Sequence, residues 1–249
     1  PESTGCVVRG IVDPDKKRAR ELADEVSSLR SGASVTSKGG NKYRSHVVGA
    51  GSGSGSTAVD DVRSFQSLDR ALSSVGEDID VVYIGTPPGS HRPLVERALD
   101  CGKHVLLEKP LACTAEDADA IVAAADRAKE RFGSVLAMNI GMRYNAALKE
   151  MRRLILDYDE FGLGTKEGNP GFVGKLHLHF RQWPREWQTQ PWCASRSQGG
   201  PCREVGTHFF SALIELASAG NFSGSSPMRP LVAQIKATVS FPTDDDPED

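Results

Sequence analysis

The sequence predicts an α/β protein, a parallel sheet interleaved with helices, followed by a smaller α+β domain. Three observations predict it. Short β-branched runs alternate with stretches of helical period as far as residue 139. The helical stretches supply the crossovers that parallel strands require. Beyond residue 145 the alternation gives way to glycine-rich links and to runs alternating apolar with polar residues, the pattern of half-exposed antiparallel strands. A chain of 249 residues with 39% hydrophobic and 25% charged residues has the composition of an ordinary globular protein of one large or two small domains.

The elements follow in order. Cys6–Val12 reads as a buried strand, and Asp13-Pro14 as an N-cap with proline at the first helical position. Ala19, Leu22, Ala23 and Val26 then recur on one helix face. Residues 31–61 contain seven Gly and seven Ser, which predicts a flexible insertion. A weak helix is expected around Ser67–Val75, a strand over Val81–Gly85, a helix over Pro93–Cys101 and a strand over His104–Leu107. Thr114, with Asp117 three positions on, resembles a capping box, and Ala118, Ile121, Val122 and Ala125 give the helix its apolar face. Ser134–Asn139 completes the alternation as a strand.

From Asn145 to about Tyr158 the spacing of Leu148, Met151, Leu154 and Ile155 predicts another amphipathic helix. Gly162–Gly174 reads as a link, and Lys175–Gln182 and Leu231–Phe241 as antiparallel strands. Between these strands, Thr207–Ala219 is expected to be a helix with Phe210, Leu213, Ile214 and Ala217 on one stripe. The domain boundary falls between residues 144 and 145, giving domains 1–144 and 145–249.

Charge narrows the function classes. Thirty Lys and Arg against 33 Asp and Glu leave a net charge of −3, which argues against a protein that coats nucleic acid or an anionic membrane. No apolar run approaches the ~20 residues of a membrane span. The five cysteines (Cys6, Cys101, Cys113, Cys193, Cys202) are scattered without a C-x-x-C, so neither a disulfide framework nor a zinc ribbon is expected, and the default is a reducing, cytoplasmic compartment. His177 and His179 alternate on one strand face with no third ligand at metal spacing, so no metal site is expected.

Chemistry concentrates in two stretches. In Val81–Thr114, a strand runs into Thr86-Pro87-Pro88, and the next strand ends in Glu108-Lys109-Pro110. Both turns fall at the carboxyl edge of the parallel sheet, where open α/β sheets bind ligands. On spacing alone Lys109 also reads as a surface cation paired with Glu108. In Gly199–His208, a glycine pair leads through Glu204 and Gly206 to His208 at a helix start, where a lone His also reads as a cap. The aromatic run Phe180–Trp187 suits either sugar stacking or sheet packing.

The first stretch closely resembles the signature of the Gfo/Idh/MocA family of NAD(P)-dependent oxidoreductases: Thr86-Pro87 with His91, Gly102-Lys103-His104-Val105, and Glu108-Lys109-Pro110. The second resembles the family's G-G followed by D-x-G-x-H, with Gly206 and His208 in register and Glu204 where the family has Asp. The resemblance implies a Rossmann-type domain followed by an open, mostly antiparallel sheet domain. It also implies hydride transfer between NAD(P) and a hydroxyl or carbonyl of a sugar-like or polyol substrate, and assembly as a homo-oligomer.

That chemistry suits the residues. His208 has the titration range for moving the hydroxyl proton near neutrality, Lys109 can hold the oxygen as charge develops, and Glu204 can orient substrate or tune His208. Thr86, Pro87, His91, Glu108 and Lys109 fall on the cofactor side. Asp13, closing the first strand, stands where a dinucleotide fold binds the ribose 2′-hydroxyl, which favours NAD, while Lys16, Lys17 and Arg18 leave NADP possible.

The family's G-x-G-x-x-G turn has no counterpart before Cys6, and Val48–Gly55 lies after the ribose aspartate with no amphipathic helix behind it, so it reads as a linker. The expectation is a Rossmann domain lacking its first strand and glycine loop, and a second domain incomplete at its far end. Two alternatives to a dehydrogenase are a non-catalytic nucleotide- or sugar-binding regulator and an NAD-dependent glycosidase.

Overall fold

A computed structural model describes residues 6–30, 62–156, 177–179, 182–186, 188–195 and 197–217. Within them, every paired strand is parallel. β1 (Gly10–Val12) pairs with β2 (Arg63–Phe65), and a second sheet has the order β3 (Val81–Ile84), β4 (His104–Glu108), β5 (Leu136–Asn139). The helices between them are α1 (Lys16–Arg30), α2 (Leu68–Val75), α3 (His91–Asp100) and α4 (Ala115–Phe132). The expected alternation is therefore present, and in register: Ile84 lies opposite Leu107, and Glu108 opposite Asn139.

Local chemistry accounts for the element ends. Ser67 caps α2 by accepting from the Arg70 amide, and Thr114 caps α4 by accepting from the Asp117 amide at 3.1 Å. The second half of a capping box is missing, because the Asp117 carboxylate accepts from Arg92 instead. Gly133 ends α4 at φ 73°, a left-handed conformation that glycine adopts without Cβ strain.

The first helix starts later than its sequence suggests. Asp15, rather than Asp13, caps it, its Oδ1 accepting from the Lys17 and Arg18 amides, so Pro14 lies outside the helix. Asp13 forms an Asx turn with the Asp15 amide. Of the expected Cys6–Val12 strand, Gly10–Val12 forms β1, the Arg9 carbonyl accepts from the Arg63 amide just before it, and Val7 and Val8 are exposed.

The core lies on one face of the three-stranded sheet. Ile84, Val105 and Leu107 pack beneath Val95, Ala98 and Leu99 of α3 and Ile121, Ala124 and Ala128 of α4. On the other face, Val81, Tyr83 and Leu106 are exposed. The strands thus alternate between buried and open positions, although their sequences read as continuous apolar runs. The helix stripes are also narrower than expected. Leu22 of α1 and Val122 of α4 are exposed, while Ala19, Ala23, Ile121, Ala124 and Ala128 form the buried faces.

Past β5, Asn145 accepts from the Ala147 amide and opens α5 (Ala146–Leu156). Leu148 of α5 packs against Ala212 and Leu216 of α6 (Thr207–Ala217), while Met151 is exposed. Phe210 and Ile214, expected inside, are exposed. α6 is apolar around most of its circumference, and such a sequence does not specify which stripe is buried. Of the expected strand Lys175–Gln182, residues 177–179 are described, and they form no strand with other described residues. The Gly162–Gly174 link, the Leu231–Phe241 strand and the insertion at 31–61 lie outside the described residues. No described helix is long and apolar enough to cross a membrane.

Candidate active site

The parallel ladder brings the ends of β3, β4 and β5 to one edge, and Thr86, Glu108, Lys109 and Asn139 are carried there with it. His91 joins two of the loops. Its Nε2 lies 2.8 Å from the Thr86 carbonyl oxygen and its Nδ1 lies 3.0 Å from that of Pro110. The residue is 0% exposed, so the structure gives it the task of joining these loops rather than the ligand contact expected of it. Thr86 accepts from the Ser90 hydroxyl at 2.8 Å. The Pro87 carbonyl accepts from the Ser90 amide and shares the single Ser90 hydroxyl hydrogen with Thr86, which closes the turn into α3.

Glu108 is not the partner of Lys109. Its Oε1 accepts from the Tyr83 hydroxyl at 2.9 Å and from Asn139 Nδ2 at 2.7 Å, so one carboxylate ties three strand ends together. Tyr83 as a residue is 59% exposed, and its hydroxyl is held against the Glu108 carboxylate. Loss of solvent there, reinforced by the Glu108 carboxylate, pushes the phenol up to about 12.

Lys109 reaches instead across 95 residues of sequence. Its Nζ donates to the Glu204 carbonyl at 2.8 Å and pairs with Glu204 Oε1 at 3.2 Å. Glu204 is 8% exposed, and its other oxygen accepts from Gln188 Nε2, with Arg185 Nη2 4.0 Å away. The sequence contained no signal for Gln188 beyond a turn-forming Pro184 four residues earlier.

Glu204 sits in a π-helical turn, Cys202–Gly206, that opens α6. Gly199 makes room for the approach, since a Cβ there would fall 2.3 Å from the Trp192 carbonyl oxygen. Trp183, from the stretch considered for sugar stacking, donates through Nε1 to the Cys193 carbonyl and has the Arg185 guanidinium 5.5 Å from its ring centre. Trp187 and Phe180 lie outside the described residues.

His208 follows one turn after Glu204. Its Nδ1 is enclosed with no hydrogen-bond partner among the described residues. Burial, followed by the Lys109 ammonium, holds the imidazole below its usual range, and the Glu108 and Glu204 carboxylates partly oppose the shift. Lys109, Glu108, Glu204 and His208 therefore share one electrostatic environment at the carboxyl edge of the sheet.

Asp13 stands at the end of β1, its amide donating to the Phe65 carbonyl. Its Oδ2 accepts from Arg18 Nε at 2.6 Å, and this hydrogen bond, with help from the Asp15 amide, lowers the carboxyl against a smaller opposing effect of burial. A carboxylate offers about four acceptor positions, so Asp13 keeps capacity for a ribose hydroxyl.

Parallel strands whose carboxyl ends collect polar side chains, with an acid closing β1, define a dinucleotide-binding α/β domain. The chain belongs to the Gfo/Idh/MocA oxidoreductase family with an NAD-binding Rossmann fold, whose family model matches residues 2–135. It is 41% identical over 95 residues, 36% of this chain, to 1,5-anhydro-D-fructose reductase of Ensifer adhaerens. It is 45% identical over 78 residues, 31% of this chain, to dTDP-3,4-didehydro-2,6-dideoxy-alpha-D-glucose 3-reductase of Streptomyces violaceoruber. The matches span 27% and 22% of those relatives' lengths. An oxidoreductase domain protein from Kribbella flavida shares the fold at TM-score 0.54 and 19% identity, covering 84% of this chain and 45% of that one.

Proposed function

We propose that the protein transfers hydride between NAD and a hydroxyl or carbonyl of a sugar-like substrate, with Lys109 and His208 at the reacting carbon. The observation that carries this reading is the convergence of Lys109 with Glu204 and His208 at the sheet edge, across 95 residues of sequence. The polar edge and the spare acceptors of Asp13 fit a dinucleotide, with Asp13 on the adenosine ribose and Thr86 and Glu108 toward the nicotinamide. NAD, when bound, supplies the hydride acceptor.

In the direction of oxidation, Lys109 holds the substrate oxygen and favours its developing negative charge. His208 takes the hydroxyl proton at Nε2 as the C–H hydride departs, and returns it in reduction. A ring kept neutral by burial is ready to accept that proton. Glu204 fixes the ammonium from the side away from the substrate. The two relatives named above are reductases of sugar derivatives, which supports a carbohydrate-like substrate. The free state of all five cysteines suits a reducing, cytoplasmic setting. Homo-oligomeric assembly belongs to the same proposal.

The test is NADH formation with a panel of aldoses and polyols. Steady NADH production that falls about 10²-fold or more in Lys109→Ala and His208→Ala supports the reading. Binding without turnover indicates a sensor, and release of free sugar without NADH accumulation indicates a glycosidase.

A further inference from the structure

We infer that Gln188 is a positioning residue that holds the Glu204 carboxylate against Lys109. The amide is 8% exposed and used on both sides. Its Oε1 accepts from the Arg185 amide at 2.9 Å and from Arg185 Nε at 3.0 Å, while Nε2 donates to Glu204 Oε2. The Gln188 amide closes the same turn onto the Arg185 carbonyl at 2.8 Å.

This arrangement fixes which way the side chain points. Two donors from Arg185 require the carbonyl oxygen on their side, so the NH₂ group must face the carboxylate; the flipped amide would set oxygen against oxygen. The carboxylate is then held at both ends, Oε1 by Lys109 and Oε2 by Gln188. It cannot rotate away from the ammonium without leaving a buried donor unpaired. Arg185 stands 4.0 Å from Oε2, too far for a close hydrogen bond, so Gln188 carries the contact.

Its bearing on catalysis rests on the site reading above, but the geometry can be tested without turnover. The measurement is competitive acetylation of the full chain at fixed pH, with each lysine read by mass spectrometry and exposed Lys129 as the internal standard. Gln188→Met keeps side-chain length but donates nothing. It should raise Lys109 reactivity about tenfold, the scale of one hydrogen bond to an ionised group. In a Glu204→Gln background, where the carboxylate is gone and Lys109 keeps only the main-chain carbonyl of residue 204, the same substitution should add nothing.

A general loosening of the fold would raise reactivity equally in both backgrounds, and that result would overturn the inference. So would an unchanged Lys109 in Gln188→Met. If the Met variant does not fold, Gln188→Asn, whose amide sits one methylene short of Glu204, replaces it with the same two outcomes. Absence of redox turnover in the native protein would count against the function proposed above and leave this measurement intact.

Discussion

Lys109 emerges directly from β4, whose backbone pairing with β3 and β5 fixes where the side chain leaves the sheet. Glu204 and His208 reach the same place from a segment, residues 182–208, that contains no paired strand among its described residues. That segment is held by side-chain hydrogen bonds from Gln188 and Trp183 and by the close approach at Gly199. The ladder side owes its geometry to the folded core. The opposite side rests on these contacts and on the small Leu148–Ala212–Leu216 cluster, apart from the main core. Damage to the sheet should therefore read out as stability, and damage to the arm as activity.

Leu107, adjacent to Glu108 and 0% exposed, sharpens the contrast most. Leu107→Ala should cost about 2–5 kcal/mol in denaturant unfolding. His208→Ala should cut turnover about 10²-fold while the unfolding midpoint stays near that of the native protein. If the histidine variant unfolded as readily as the leucine variant, the division would fail.

His208 also sets a pH dependence. Its folded-state value is lowered below the unfolded ~6.5, so the unfolded chain binds more protons in the window beneath that value. This contribution to stability is present in full above ~6.5 and is lost as pH falls toward the folded value. The same shift puts the acid limb of the oxidative rate profile below ~6.5, where the neutral ring still accepts a proton. A rate that collapsed at higher pH would point to another base.

Gly199→Ala is a milder probe of the arm. A Cβ there would meet the Trp192 and Cys193 carbonyl oxygens at 2.3 and 2.4 Å, so backbone must move. Gly200 donates to Cys193 and accepts from the Glu204 amide, which carries the displacement to the site. Turnover should fall by roughly tenfold or more, in keeping with the sensitivity of rates to ångström misplacement. The smallest effect should come from Ser134→Ala. The Ser134 hydroxyl is enclosed with no partner among the described residues, so its removal should be neutral or stabilising by up to ~1 kcal/mol in thermal melts.

The same division decides how much was legible in sequence. The β3–α3–β4–α4–β5 alternation could be read because it depends on local periodicity and on caps such as Thr114, and the Glu108-Lys109-Pro110 turn came with it. The pairing of Lys109 could not be read. Glu108 is its neighbour in sequence, but strand register turns that side chain to Tyr83 and Asn139 and leaves the lysine for Glu204. His91 was visible as a motif residue, but its burial depends on where the Pro110 loop falls. Gln188 gave no sign beyond the nearby Pro184, because its role exists only once turns far from Lys109 in the chain are brought to it. The cap of α1 was missed because Asp13 and Asp15 compete for it, and only the helix phase decides between them.

The central claim is that an ammonium from β4 and an imidazole from α6 share one site. The most direct measurement is the NMR titration of the His208 ring in the native protein and in Lys109→Met. The account predicts a native midpoint below ~6.5 and an upward shift once the neighbouring positive charge is removed. An identical midpoint in the two proteins would place the two groups beyond electrostatic reach of each other and contradict the claim.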